Sequence, residues 1–241
     1  MTETGGIEEG RVRLISQVKL REVKQTWEFG TRYRREIDAN WQRGLRENPG
    51  YFNGRVFMLT KGENIASGFA GELMAVDFKD FIYWRDHPDL DTTVYDCFGS
   101  ALVVSCDGAI MLGRQRNGNI NAGLTYFPGG FIDERDVGLD GGIDIRQSVL
   151  REVLEETGLE AHEFAISPSL LLTTIGNQVS IGVELASPLT AVQLRRKVAA
   201  HLASDPDGEL EGVVVAKSHS DLSGHQVPAY ARCLVRHYLP Q

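Results

Sequence analysis

The chain has no pair of cysteines placed for a shared task. Its three, Cys97, Cys106 and Cys233, form no CxxC pair, and the six histidines show no zinc-like spacing with them. Neither a disulfide framework nor a structural zinc site is expected. Long apolar runs are also absent. No stretch approaches the roughly 20 residues a membrane-spanning helix requires, and the first residue is followed by polar TETGGIEEGR rather than a basic patch and an apolar segment. A cytoplasmic protein with no membrane partner is expected. Positive charge is scarce too: 25 Lys and Arg against 33 Asp and Glu give a formal net charge of -8. That balance argues against broad nucleic-acid binding, whose affinity comes from neutralising many phosphates. An anionic substrate bridged by a cation is still compatible with it.

The length of 241 residues suits one core with an N-terminal elaboration. Residues 1–10 are small and acidic, which predicts a disordered tail. Residues 11–95 read as an N-terminal extension and 96–241 as the main domain. In the extension, RVRLISQVKL from Arg11 alternates as one strand, and TWEFGTRYRREIDANWQRGLRENP reads as one helix ending before Pro49. Asn53-Gly54 marks a turn before the strand RVFMLTKG, and AGELMAVDFKDFIYWRDHP reads as a helix with Asp77 as a candidate cap and Pro88 as its stop. Trp27, Trp41, Phe81 and Trp84 could stack on a base, but aromatic residues at helical spacing are more often core, and core is the reading preferred.

A different texture begins near Cys97, where CFGSALVVSC and AIMLGRQR are apolar strands joined by an Asp107-Gly108 hairpin signal. Further on, HEFAISPSLLLTTIG, QVSIGVELA and ELEGVVVAK read as strands, PLTAVQLRRKVAAHLAS as a helix, and VPAYARCLVRHYL as an amphipathic closing helix. Strands mixed with helices on this scale imply a layered α/β domain.

The chemistry concentrates in DIRQSVLREVLEETGL, residues 144–159, where Asp144 can cap a helix and Gly158 can end it in the left-handed conformation. On 3.6-residue geometry Glu152, Glu155 and Glu156 stand at i, i+3 and i+4, so three carboxylates leave one face. They repel one another, and a hard divalent cation such as Mg²⁺ or Mn²⁺ would compensate while keeping positions open for phosphate oxygens. A bare EVLEE string alone is usually a solvated helix face. The context here is richer, because FPGG at 127–130 precedes the helix and REVLEETGL completes it.

In these residues the sequence resembles the Nudix hydrolase family, whose box can be written G-x5-E-x7-R-E-U-x-E-E-x-G-U, with U a bulky aliphatic. Arg151, Glu152, Val153, Glu155, Glu156, Gly158 and Leu159 match the second half at every fixed position. The first half departs. Between the opening glycine, Gly130 or Gly129, and Arg151 there is an excess of seven or eight residues, assigned to the loop ERDVGLDGG. Counting back from Arg151, the box's first glutamate falls on Ile143, leaving Asp144, Asp133, Glu134 and Asp140 as candidate substitutes.

The resemblance implies the Nudix α/β/α sandwich with a mixed central sheet, here carrying an N-terminal α+β extension. It implies Mg²⁺ or Mn²⁺ held by Glu152, Glu155 and Glu156 with the Gly130 carbonyl as a backbone ligand, and Arg151 orienting the carboxylates. The general base is Glu156, Glu209 or Glu211. Arg114 and Arg116 are candidate substrate contacts, against a reading as solvated loop arginines, while His219 and His225 are weaker acid-base candidates. The implied activity is cleavage of the diphosphate linkage of a nucleoside diphosphate derivative. The segment NPGYFNGRVF at 48–57 is similar to the N-terminal region of family members acting on nucleotide sugars. The partner implied is a nucleotide-derivative small molecule, and family members are often homodimers. The alternative is a non-catalytic sensor of a nucleotide ligand, motivated by Ile143 and the lengthened loop. Isomerisation on the same fold has no support from the cysteines, which lack the motif of a catalytic thiol.

Overall fold

The computed structural model describes residues 10–240, so all of the expected tail at 1–10 except Gly10 lies outside the described residues. In chain order the elements are β1 Val12–Ile15, β2 Gln17–Glu22, α1 Glu28–Arg32, α2 Arg34–Glu47, β3 Arg55–Ile65, β4 Gly68–Asp77, α3 Phe78–Asp86, β5 Tyr95–Val104, β6 Ile110–Gln115, β7 Thr125–Tyr126, β8 Gly142–Ile143, α4 Ile145–Thr157, β9 Ala165–Ile175, β10 Gln178–Ala186, α5 Ala191–Ser204, β11 Leu210–Ala216 and α6 Ala229–Tyr238. The strands form one sheet in the order β1-β9-β10-β5-β3-β4-β2-β8, with β6 pairing β5, β7 and β11 off that path. It is mixed, since β5 runs parallel to β10 and β2 to β4 while the other ladders are antiparallel. The first and seventh strands of the order, β1 and β2, are separated in sequence by Ser16 alone, so the sheet curls until they approach.

Helices cover both faces, as in the Nudix α/β/α sandwich. Ile145, Val149 and Val153 of α4 and Leu194 and Val198 of α5 join Cys97, Ala101 and Val103 of β5 in one core. On the opposite face Leu102 packs with Tyr230, Ala231 and Leu234 of α6. Further along that face, Val56, Met58, Met74 and Val76 pack with Ile37, Phe81 and Trp84 of α2 and α3. Residues 11–95 therefore add strands to the common sheet, with β1 on β9 and β3 on β5. Among the described residues no helix is long and apolar enough to cross a membrane.

Three sequence expectations in the extension need correction. The run from Arg11 is two strands, because Ser16 bends where its N–H and hydroxyl both donate to Ser67 O at 2.9 Å. The helix over Thr26–Pro49 breaks at Tyr33, with φ -109° and ψ 24°, amid rings of Phe29 and Tyr33 packed 4.8 Å apart. Residues 70–77 are strand rather than helix: Leu73 enters one core and Met74 the other, so both faces are apolar and the period-2 signal is erased. Asp77 precedes α3 without a side-chain cap bond.

The placement of α4 depends on Gly99 in β5. A Cβ there would stand 2.4 Å from Val149 Cγ2 and 3.2 Å from Ile145 Cδ1, so only a bare backbone admits the helix this close. Gly99→Ala is expected to push α4 outward and cost about 1–3 kcal/mol, as overpacking does. In urea unfolding this appears as a lower midpoint at unchanged slope; an unchanged midpoint would show that the helix does not depend on this contact.

Candidate active site

Helix α4 begins at Asp144, whose Oδ1 accepts from Arg146 N at 3.0 Å and Gln147 N at 3.2 Å. It ends at Gly158, with φ 67°, in the left-handed conformation that glycine adopts without steric cost. Beside its core-facing residues runs a second buried strip at i+4 spacing, Ser148, Glu152 and Glu156. Glu152 is 8% and Glu156 5% exposed, because the Phe127–Gly130 segment lies over them. Gly129 N donates to Glu156 Oε2 at 3.0 Å. A Cβ on Gly130 would stand 2.6 Å from the Glu152 carboxyl, so glycine is what allows this approach. Glu155 points outward, its side chain 49% exposed.

Burial and mutual repulsion act together on these acids. Burial foremost pushes the Glu152 carboxyl up to about 7; Arg151 opposes the shift, and the charges of Glu155 and Glu209 add to it. Glu156 is raised well above the usual carboxylate range by burial, then by Glu209 and Glu152. Glu209, solvent-exposed at the cavity rim, is raised by the protein around it and by Glu155. Arg151 restrains the group: Nη1 donates to Glu152 Oε1 at 2.5 Å and lies 3.5 Å from Glu155 Oε2. Arg135 adds a second cation, bridging Asp133 at 2.6 Å and Glu155 at 3.3 Å.

A carboxylate that sequence counting missed completes the anchor. Arg151 Nη2 donates to both oxygens of Asp136, at 2.9 and 3.1 Å, and Ser148 Oγ donates to Asp136 Oδ2 at 3.1 Å. Counted forward from Gly130, Asp136 follows five intervening residues, which is the position of the box's first glutamate. The surplus lies after it: 14 residues separate Asp136 from Arg151 where the box has seven. Ile143, reached by counting backward, is a core residue in β8 paired with Leu20 of β2. Of the four substitutes expected, Asp144 caps α4, Asp133 lies 3.8 Å from Arg151 Nη2, and Asp140 accepts from Gly142 N. No contact of Glu134 with Arg151 is found among the described residues.

The acids open onto a cavity of about 710 Å³ lined by Glu152, Glu155, Gly130 and Glu209 and, from the extension, by Tyr51, Phe52, Arg55 and Arg85. Arg116 lines it as well, but its Nε and Nη2 donate to Gly208 O at 2.7 Å and Leu210 O at 2.8 Å, so it holds the loop that carries Glu209. Arg114 and Glu211 pair with each other at 2.7 Å, outside the cavity lining. His219 and His225 border a different cavity, with Arg232 and Arg236. Of the aromatic candidates, Phe81 lines the cavity, Trp84 is fully buried, Trp27 donates to Asp91 Oδ2 at 2.9 Å, and Trp41 stacks on Tyr51 6.0 Å away. Arg55 and Arg85 are isolated basic residues outside the box, and Arg135 falls at one of its variable positions, so the motif singles out none of the three.

Among the described residues no three of His, Cys, Asp and Glu are placed so that together they could hold a metal ion. The donor set nevertheless suits a hard cation: Glu156 Oε1 is buried without a well-formed hydrogen bond, and the pull of Gly129 N and the Gln115 side chain on the carboxyl is outweighed by burial and by the like charges of Glu209 and Glu152. An oxygen-rich group with open positions is what a cation shared with phosphate requires.

Asp136→Ala removes the acceptor of Arg151 and leaves the guanidinium free to swing off Glu152. Groups that orient ligands in this way are typically worth about 10–100-fold in activity or metal affinity. A drop of that size in turnover, with the unfolding midpoint above assay temperature, is expected; unchanged turnover would remove Asp136 from the site.

The family model of the NUDIX domain matches residues 99–220. No curated protein matches the chain. Among solved structures, the MutT protein from Methanosarcina mazei Go1 is 21% identical, with 60% of this chain and 92% of that one covered at a TM-score of 0.39. The Nudix hydrolase RenU from M. smegmatis is 16% identical, with 58% and 81% covered at a TM-score of 0.37. With half the sequence matched by the family model and the box residues gathered at one acidic cavity, the chain belongs to the Nudix family, as a pyrophosphohydrolase acting on nucleotide derivatives.

Proposed function

We propose that this enzyme is a metal-dependent hydrolase cleaving the diphosphate linkage of a nucleoside diphosphate joined to a second group, the class that includes nucleotide sugars. The observation that carries the reading is the crowding of Glu152, Glu155 and Glu209 on one cavity wall, with Glu156 buried one helical turn beyond Glu152 and its Oε1 without a well-formed hydrogen bond. Bound Mg²⁺ or Mn²⁺ would supply charge neutralisation and polarisation of the phosphoryl oxygens. Glu152, Glu155 and Glu156, with the Gly130 carbonyl, are the groups to hold it. Arg151, clamped by Asp136, keeps Glu152 in place.

Glu209 is assigned as the base that takes the proton from the attacking water. It lines the same cavity as Glu152 and Glu155, on a loop held by Arg116, and the surrounding protein and Glu155 raise its carboxyl above the ordinary carboxylate range, which makes it a stronger proton acceptor. Glu156 is the alternative base. Glu211, paired with Arg114, has no comparable position. Arg135, on the cavity wall beside Glu155, suits the phosphates, whereas Arg116, on the same wall, is engaged with the backbone of the Glu209 loop. A cavity of about 710 Å³ accommodates more than a phosphate chain. Its wall from Asn48 to Arg55, the segment similar to nucleotide-sugar enzymes, supports a substrate extending beyond the diphosphate. The sensor alternative rests on Ile143 and on the lengthened loop; Asp136, bonded to Arg151, speaks against the first ground, while the surplus after Asp136 stays.

Purified protein is expected to release two phosphorylated products from one class in a panel of nucleotide sugars, dinucleotides and nucleoside triphosphates, with Mg²⁺ or Mn²⁺. Glu156→Gln and Glu209→Gln should each lower the rate by about 10² or more. Turnover that persists undiminished in chelator would contradict the metal-dependent reading, and full activity in Glu209→Gln would return the base to Glu156.

A further inference from the structure

Away from the acidic mouth the cavity contains a carboxylate that the hydrolytic chemistry does not use. Asp96 of β5 is paired in parallel register with Gln178 of β10, so their side chains leave the same face of the sheet. Both line the cavity, and Asp96 is only 7% exposed. Among the described residues its side-chain donor is Gln178 Nε2, 3.3 Å from Oδ2. Arg85 is near enough to act on the Asp96 charge, but its guanidinium donates to Asn121 Oδ1 at 3.2 Å and Ile120 O at 3.4 Å instead. Gln178 is thus the side chain that donates to Asp96, at Oδ2, and Oδ1 is not among the fully buried unpartnered atoms, which suits an acceptor reached from the cavity.

The surroundings are aromatic. Phe98, two residues along the same face, meets Tyr230 edge-on at 4.8 Å, and Tyr230 lies 6.4 Å from Tyr126; all three line the cavity. The two tyrosines also span the distance between the chemistries. Tyr126 feels the charge of Glu156, and Tyr230 that of Asp96. One bound molecule with phosphates at α4 and a planar ring near Asp96 fits that layout.

We propose that Asp96 and Gln178 read the edge of the substrate's nucleobase and select bases that carry an exocyclic amine. The inference rests on the nucleotide-derivative reading above. The free carboxylate oxygen accepts an N–H from the amine of adenine, cytosine or guanine, while the aromatic residues pack against the ring. Uracil has no exocyclic amine, and its one edge donor, N3–H, is flanked by two carbonyls, so a carboxylate that reaches it meets a carbonyl oxygen alongside, acceptor against acceptor.

The test is equilibrium binding of ADP, CDP, GDP and UDP to the full chain, measured calorimetrically for wild type and Asp96→Asn. The three amine-bearing nucleotides are expected to bind wild type about tenfold or more tightly than UDP, the discrimination typical of one well-made base contact. In Asp96→Asn, whose amide offers both donors and acceptors, the gap should narrow to within about threefold. Wild type alone can overturn the proposal, by binding UDP as tightly as the others or by binding none of the four. Equal weakening of all four in Asp96→Asn overturns it too. Should that variant not fold, Asp96→Ala, which removes the acceptor outright, takes its place with the same expectation. Hydrolysis accompanied by uniform affinities sinks the base assignment alone, whereas base-selective binding with no hydrolysis of any diphosphate sinks the catalytic reading alone.

Discussion

The guanidinium of Arg151 is the contact on which the site depends. Two carboxyls of α4 are buried, Glu156 raised by the charges of Glu209 and Glu152 and Glu152 by those of Glu155 and Glu209, an arrangement that costs stability unless cations or donors offset it. Arg151 reaches Glu152 with one nitrogen and both oxygens of Asp136 with another, and the fixed fork of the guanidinium sets the angle between them. Ser148 and the backbone N–H of Asp133 in turn hold Asp136. The chain between Asp136 and α4 can therefore be long without disturbing the helix, because the carboxylate is locked before the extra residues begin.

Those extra residues have a structural use. After Asp136 they run through Val137, which bridges Ile143, into β8, and β8 pairs with β2 of the N-terminal extension. The same extension supplies β3 beside β5 and puts Tyr51, Phe52, Arg55 and Arg85 on the cavity wall. Phe52, 81% exposed, is an apolar ring left in solvent at that wall. The motif helix is thus buried on one side of the sheet, while the space a substrate's far half would occupy is bounded partly by residues outside the box.

What could be read in the sequence followed from how local each signal is. Asp144 and Gly158 announce α4 through capping and left-handed geometry, and the i, i+3, i+4 spacing placed three carboxylates on one helix. Asp136 was hidden because the backward count from Arg151 presumes an uninterrupted box, and the count succeeds only from Gly130 forward. The strand at 68–77 was hidden because both its faces are apolar. Asp96 and Gln178 are 82 residues apart and meet only through the β5–β10 register, which no periodicity within either strand reveals. Arg85 and Asn121 are likewise joined only by the fold.

The central claim is that the α4 carboxylates bind a divalent cation, and the most direct measurement is calorimetric titration of Mn²⁺ into the full chain and into Glu152→Gln. Saturable binding with defined stoichiometry in wild type, weakened about tenfold or more in the variant, is the result predicted. Identical isotherms for the two proteins, or no saturable binding to wild type, would contradict it.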